Sequence, residues 1–198
     1  TVTFDAMPDG THSNCKVSVT SNGMVSDNLS VSSFEIDTIA PTLSSLTILS
    51  NNDNTSMAKV GNRITLTINA SENIQKPTVL IAGNSASVSP SSGIRTSWSA
   101  TYNMQSSDTE GLVSLSVSFT DANANPGTTV ISTTNGSAVQ FDKTAPTLSP
   151  VTAVSTPDND STPNYTFYSN EAGTITYAGD CSSSTTSATA DNNTITFN

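Results

Sequence analysis

Between Leu43 and Phe141 apolar residues recur at alternate positions in short runs, with Ser, Thr or Asn between them. Successive side chains of a strand point to opposite faces, so a period of two predicts strands that bury one face. Seven strands follow in order. Strand A runs through Leu43, Leu46 and Ile48, B through Ile64, Leu66 and Ile68, C through PTVLIAG, and D through a short ASVSP. Strand E carries Trp98, Ala100, Tyr102 and Met104, F carries Val113, Leu115, Val117 and Phe119, and G ends in Val139 and Phe141. Clusters of Gly, Asn, Asp and Pro separate the runs and supply turn backbone. No stretch of about ten residues shows a 3.6-residue period, so the expected fold class is all-β.

The pattern also repeats. FEIDTIAPTLSSLT (Phe34 to Thr47) returns as VQFDKTAPTLSPVT (Val139 to Thr152), which places Asp37 and Asp142 105 residues apart. A complete unit over residues 41–143 suits a seven-stranded sandwich of about 100 residues. Beyond it, residues 144–198 offer strands A to E: LSPVTAV, then Tyr165 with Phe167, Ile175 with Tyr177, and Ile195 with Phe197. Residues 1–40 offer the complementary E, F and G strands in TVTF, CKVSVT and NLSVSSFEID, the first matching TITF at Thr194 to Phe197. The expectation is therefore one complete domain flanked by two complementary partial domains. A half-sandwich leaves an apolar sheet face and open edges in water. Two arrangements answer this. Either the chain is an excerpt of a longer tandem array, or the amino-terminal part of one copy completes the carboxy-terminal part of the next.

Composition narrows the setting. Six Lys+Arg against 16 Asp+Glu give a net charge of −10, which excludes a basic face for nucleic acid. The 34 Ser and 32 Thr compete with helical backbone bonds and suit strands and turns instead. Only 11% of residues are charged, and the regular apolar positions provide the buried surface that disordered chains lack. No apolar run reaches the roughly 18 residues of a membrane span. There is neither an initiator Met nor a signal peptide, so a mature product or an excerpt of something longer is expected. In a secreted chain of this kind the two cysteines point to a disulfide before a metal site or catalytic thiol. Cys181 lies at the end of C and Cys15 at the start of F, strands that run antiparallel side by side in such a sandwich. Their sulfurs belong to different copies of the domain, so a Cys15–Cys181 bond is expected between copies or chains.

The Asp-x-x-Ala-Pro-Thr-Leu segments, with SDTEGLVSLSVSFTDANANPGT (Ser107 to Thr128) and FDKTAP (Phe141 to Pro146), resemble the immunoglobulin-like tandem repeats of large bacterial surface proteins and biofilm adhesins. The tail TPNYTFYSNEAGTITYAGDC resembles a second subtype of these repeats, one that continues into a stretch like DGTHSNC near the start of this chain. The resemblance implies an extracellular, cell-surface extender: a rod whose partners are neighbouring repeats or further copies of itself. Host or biofilm surfaces would be met through other regions.

It also implies calcium at the joints. Around the complete domain the ligands would be Asp37 from the linker, Glu72 from the B–C loop, and Asp121, Asn123 and Asn125 from DANANPG. Calcium takes about six to eight hard oxygens, which carboxylates, amides and carbonyls supply. The same acids serve equally well as turn residues that accept backbone amides, and both readings stand at this point. Asp142 and Glu171 mark a weaker second joint, because Ser21-Asn22-Gly23 stands where the family more often has Asp. A further acidic group, SNNDN (Ser50 to Asn54) with Asp108 and Glu110, and the pair Asp158 and Asp160, read as solvated turns.

No chemistry of its own is expected. His12, the single histidine, has no acid placed beside it by sequence, and neither a nucleophile elbow nor a phosphate loop occurs. The function expected is that of a structural segment of an adhesin stalk or extracellular fibre, not an enzyme. A filament subunit assembling by complementation of split domains is one alternative. A glycan- or protein-binding module is another, disfavoured because the sole Trp98 falls on an inward position.

Overall fold

The computed structural model describes residues 6–198; the TVTF strand expected at the amino terminus lies outside them. Every regular element among the described residues is a β-strand. The chain divides into two compact units, Thr1–Lys143 and Thr144–Asn198.

The first unit opens with a long antiparallel ribbon. Strand β1 (Gly10–His12) pairs with β6 (Phe34–Ile36), β2 (Lys16–Val17) with β5 (Leu29–Ser30), and β3 (Thr20–Ser21) with β4 (Met24–Val25). Asn22 and Gly23 close it with φ of 51° and 80°. Both central residues of such a two-residue hairpin turn need positive φ, which is why Asn-Gly is the favoured pair. CKVSVT and NLSVSSFEID, expected as F and G strands, form the two arms. Val17, Val19, Val25 and Leu29 remain exposed along them.

Residues 43–141 fold as two facing layers. One is a four-stranded antiparallel sheet in the order β12 (Ser87–Ser89), β13 (Arg95–Asn103), β9 (Arg63–Ile74), β7 (Leu43–Ser50). Opposite it, β10 (Thr78–Ile81) lies between β11 (Asn84–Ser85) and β15 (Leu115–Ser118), while β16 (Gln140–Phe141) lies between β14 (Gly111–Leu112) and β8 (Met57–Ala58). β15 lies within the expected strand F, and β14 immediately precedes that strand. The alternation works as its period requires: Leu46, Ile48, Ile64, Leu66, Ile68, Trp98 and Ala100 meet Val79, Ile81, Val117, Phe119, Val139 and Phe141 in one buried cluster. Two sheets joined by interdigitating inner faces are consistent with a β-sandwich. Each large side chain buried there contributes about 1.5–3 kcal/mol.

Two details depart from the expectation. β8, inside the connection between β7 and β9, pairs parallel with β16, and two residues are too few to carry a visible period. Expected strand F is regular only over Leu115–Ser118, and Val113 and Leu115 are only half-buried.

The second unit is thinner. β17 (Leu148–Thr152), β18 (Asn164–Ser169) and β21 (Asp191–Thr196) form one antiparallel sheet, and β19 (Gly173–Thr174) pairs with β20 (Ser187–Ala188). Phe167 and Ile195 are its buried apolar side chains among the described residues. Tyr165 stacks on both Phe167 and Phe197, with ring centres 6.3 and 6.2 Å away. Its apolar face is an open groove of about 360 Å³ lined by Tyr165, Phe167, Ile175, Tyr177, Ile195 and Phe197.

Candidate metal centre

Three segments far apart in the sequence converge at one end of the two-layered body. Asp37 follows β6, Glu72 sits near the end of β9, and Asp121 begins the turn after β15. The turn is built around Asp121: its Oδ1 accepts the backbone N–H groups of Asn123 and Asn125, both at 2.8 Å. Asn125 Nδ2 donates to Asp121 Oδ2 at 2.7 Å. Ala124 takes a φ of 71° at the tip. Gly127 closes the loop where a Cβ would lie 2.2 Å from the Phe119 ring. A donation from Gln75 N–H to Thr120 O at 2.9 Å ties the turn to the residues after β9.

The entering segment is fastened to the same turn. Asn125 Nδ2 donates to Asp37 O and Asn123 Nδ2 to Asp37 Oδ2, each at 3.0 Å. On its outer side Thr38 donates its N–H and hydroxyl to Asp9 Oδ1 at 3.0 and 2.9 Å. Asp9 is a positioning residue that the sequence reading missed, and an isolated acid before a glycine carries no signal of a partner 29 residues away.

One oxygen from each of Asp37, Glu72 and Asp121 lies within 4.8 Å of the others, with Asp121 buried and the other two half-buried. The electrostatics differ within the triad. Burial pushes the Glu72 carboxyl above its ordinary range, and the charges of Asp37 and Asp121 push it further. Burial pushes Asp121 the same way, but the side-chain bond from Asn125 and the backbone bonds from Asn125, Asn123 and Ala124 outweigh it and hold that carboxyl below its ordinary range. Hydrogen bonds to the charged form thus keep Asp121 ionised, while Glu72 bears the crowding. Three carboxylates so placed suit a hard divalent cation, which would replace their mutual repulsion by attraction. Asn123 and Asn125, expected as oxygen ligands, act here as donors to the carboxylates.

The remaining expected residues are placed as follows. Asp142, half-buried in the first unit, donates its N–H to Ala58 O at 2.9 Å. Glu171, half-buried in the second unit, accepts from Asn170 Nδ2 at 3.3 Å, and its carbonyl accepts the Ser169 hydroxyl at 2.6 Å. Cys15 is a half-buried free thiol and Cys181 an exposed one. His12 stacks on Phe34 with ring centres 5.3 Å apart, and Trp98 is 3% exposed.

Asp108 is a correction. Expected as a solvated turn residue, it is 5% exposed and accepts from Asn84 Nδ2, Tyr102 Oη and Gln105 N–H at 3.1, 3.1 and 2.7 Å. Lys143 donates Nζ to the carbonyls of Ser106 and Asp108 at 3.0 and 2.8 Å, and its N–H to Glu110 Oε1 at 2.8 Å. By contrast Asp158 and Asp160 are exposed and accept backbone N–H groups two residues on, as solvated Asx turns do.

No helix among the described residues is long and apolar enough to cross a membrane. Compared with protein-family models, curated proteins and solved structures, the chain gives no match.

Proposed function

We propose that the chain is a structural segment of an extracellular fibre or cell-surface adhesin built of tandem immunoglobulin-like domains, with calcium stiffening the joint at Asp37. The observation that carries this is the presence of Asp37, from the segment entering the sandwich, in the same 4.8 Å cluster as Glu72 and Asp121. A cation held by linker and sandwich together would set the direction in which the preceding segment leaves.

The strand order supports the immunoglobulin-like reading. β12-β13-β9-β7 corresponds to a D-E-B-A sheet, and β10 with β15, and β14 with β16, correspond to a C-F-G sheet. The acidic chain, with a net charge of −10, keeps an extended surface soluble and favours cations over nucleic acid or anionic surfaces. The buried Trp98 weighs against a glycan-binding face, which needs exposed aromatics.

Isothermal calorimetry with calcium chloride tests the reading. A saturable heat that disappears in Asp37→Asn is expected. No heat at millimolar calcium, or a heat indifferent to Asp37, overturns it.

A further inference from the structure

We propose that the apolar groove of the second unit is filled by the ribbon of a second copy of this chain, whose Cys15–Thr20 arm adds as a strand beside residues 174–178. The proposal rests on the sandwich reading above but not on calcium. Its test reads association, so either idea can fail alone.

The first unit supplies the template. There the sequence TVLIAG (residues 78–83) contains β10 and ends in Gly83 at φ +76°. In the second unit TITYAG (residues 174–179) repeats it, with Ile175 and Tyr177 for Val79 and Ile81 and with Gly179 at φ +73°. β10 is covered along one edge by β15, in the register Thr78↔Ser118, Val79↔Val117, Leu80↔Ser116 and Ile81↔Leu115. Residues 175–178 have no such neighbour among the described residues: β19 ends at Thr174, and only Ile175 N–H continues toward Thr186 O, at 2.9 Å. An unpaired edge beside an apolar groove is the site that an added strand fills.

The ribbon carries the matching strand. Lys16-Val17-Ser18-Val19-Thr20 follows the pattern of Ser116-Val117-Ser118-Phe119-Thr120. Val117 is fully buried and Phe119 6% exposed, whereas Val17 and Val19 are 43% and 66% exposed. A two-stranded ribbon is at best marginally stable in water, and this one presents its own apolar hollow, lined by Met7, Cys15, Val17, Val31, Phe34 and Ile36. Placed in the register of β15, Cys15 takes the position of Leu115, opposite the Ile81 counterpart Tyr177. Cys181 follows two residues after Gly179 and lines the groove, so both thiols fall at the same end of the new pair. The flanking charges are opposite in sign and so complementary: Lys16 adjoins Cys15, Asp180 adjoins Cys181, and residues 144–198 contain acids but neither Lys nor Arg. Ribbon and groove are different surfaces, so the contact is head-to-tail and leaves one of each free for the next copy.

Sedimentation velocity on the reduced chain tests this. Association that rises with concentration is expected, and its loss in Val17→Asp and in Ile175→Asp, with buried Trp98 fluorescence reporting that the sandwich stays folded. An equimolar mixture of the two variants restores one good ribbon and one good groove, and so forms dimers but nothing longer. A mixture that stays monomeric overturns the proposal. For the register, chains with light and heavy nitrogen are mixed unfolded, refolded and treated with oxidised glutathione. One cysteine thiolate displaces glutathione to give a mixed disulfide, and the partner thiolate displaces the second glutathione, leaving Cys15–Cys181 and two glutathione thiols. Mixed-isotope Cys15–Cys181 peptides as abundant as the unmixed forms together are the supporting result. Unmixed peptides alone, or Cys15–Cys15 and Cys181–Cys181 links in their place, overturn it.

Discussion

Glu72→Gln should act with opposite signs depending on calcium. In the cation-free protein the Glu72 carboxylate faces Asp37 and Asp121 at distances within 4.8 Å. Two unit charges about 5 Å apart repel by about 0.8 kcal/mol at the dielectric of water and about 3 kcal/mol at an effective value near 20. Glu72 is half-buried and still screened by solvent, so a value toward the lower figure applies to each of the two pairs, and neutralising it should stabilise the first unit by about 1–2 kcal/mol. With calcium the sign turns. For a site of extracellular-module affinity, about 10⁻⁴–10⁻³ M, about 10 mM calcium stabilises the wild type by about 1.4–2.7 kcal/mol. For a domain of about 100 residues that is a rise in melting temperature of roughly 6–20 °C. The variant should lose most of this rise. Thermal unfolding followed by Trp98 fluorescence, in EDTA and in calcium, with sodium chloride matching the ionic strength, reads both effects. A wild-type midpoint that calcium leaves unmoved, or moves no more than sodium does, refutes the reasoning. So does a variant less stable than the wild type in EDTA. The pH dependence follows from the direction of the shift. Because the folded Glu72 pKa is raised, its contribution in EDTA is fully present below the unfolded value of about 4.3 and is lost as pH rises through the folded one. The gap between calcium and EDTA midpoints should therefore widen over that window.

Three further outcomes test the surrounding structure. Asp108→Ala removes the buried acceptor of Tyr102, Asn84 and Gln105 N–H; Asn84 and Gln105 are exposed and can turn to water, so the cost should be about 1–3 kcal/mol in all, carried mainly by the half-buried Tyr102 hydroxyl, measured by urea unfolding. Gly127→Ala forces a Cβ into the Phe119 ring and should destabilise by about 1–3 kcal/mol, with a weakened calcium response because the turn holding Asp121 must shift. The Tyr102 phenol is pushed up by burial, then by its bond to Asp108 and that residue's charge. The stability it contributes is present below the unfolded value of about 10 and lost above it, so Tyr102→Phe should flatten the alkaline limb of a pH–stability profile.

The strands of the first unit were legible because one face is buried: Leu46, Ile48, Ile64, Leu66 and Ile68 alternate with polar neighbours and are all buried. Alternation says nothing about partners, which is why β8 and its parallel pairing with β16 were not foreseen. In the second unit Leu148 and Val151 are exposed, so the pattern there marked strands without marking a core. The convergence of Asp37, Glu72 and Asp121 could be anticipated from the repeat and its resemblance, since each acid lies at a strand end. Which group donates and which accepts could not. Asn123 and Asn125 offer both an oxygen and an N–H₂ group, and only the packed turn turns their nitrogens toward the carboxylates. The burial of Asp108 is hidden from the sequence for a related reason: a polar residue between turn signals looks solvated unless its three donors are known.

The two proposals meet on one segment. Residues 6–36 form a ribbon whose apolar side chains are largely exposed, while Asp37 and Thr38 fasten its end through Asn123, Asn125 and Asp9. If calcium bridges Asp37 to Glu72 and Asp121, it restricts the directions in which that ribbon projects, and less orienting entropy is then lost when the ribbon enters the groove of another copy. Binding free energies are linked reciprocally, so the factor by which calcium strengthens association must equal the factor by which association strengthens calcium binding. Glu72 lies in the triad and not on the ribbon, so Glu72→Gln should remove the coupling while leaving association in EDTA intact. That separates a cation that organises assembly from one that merely stabilises a domain.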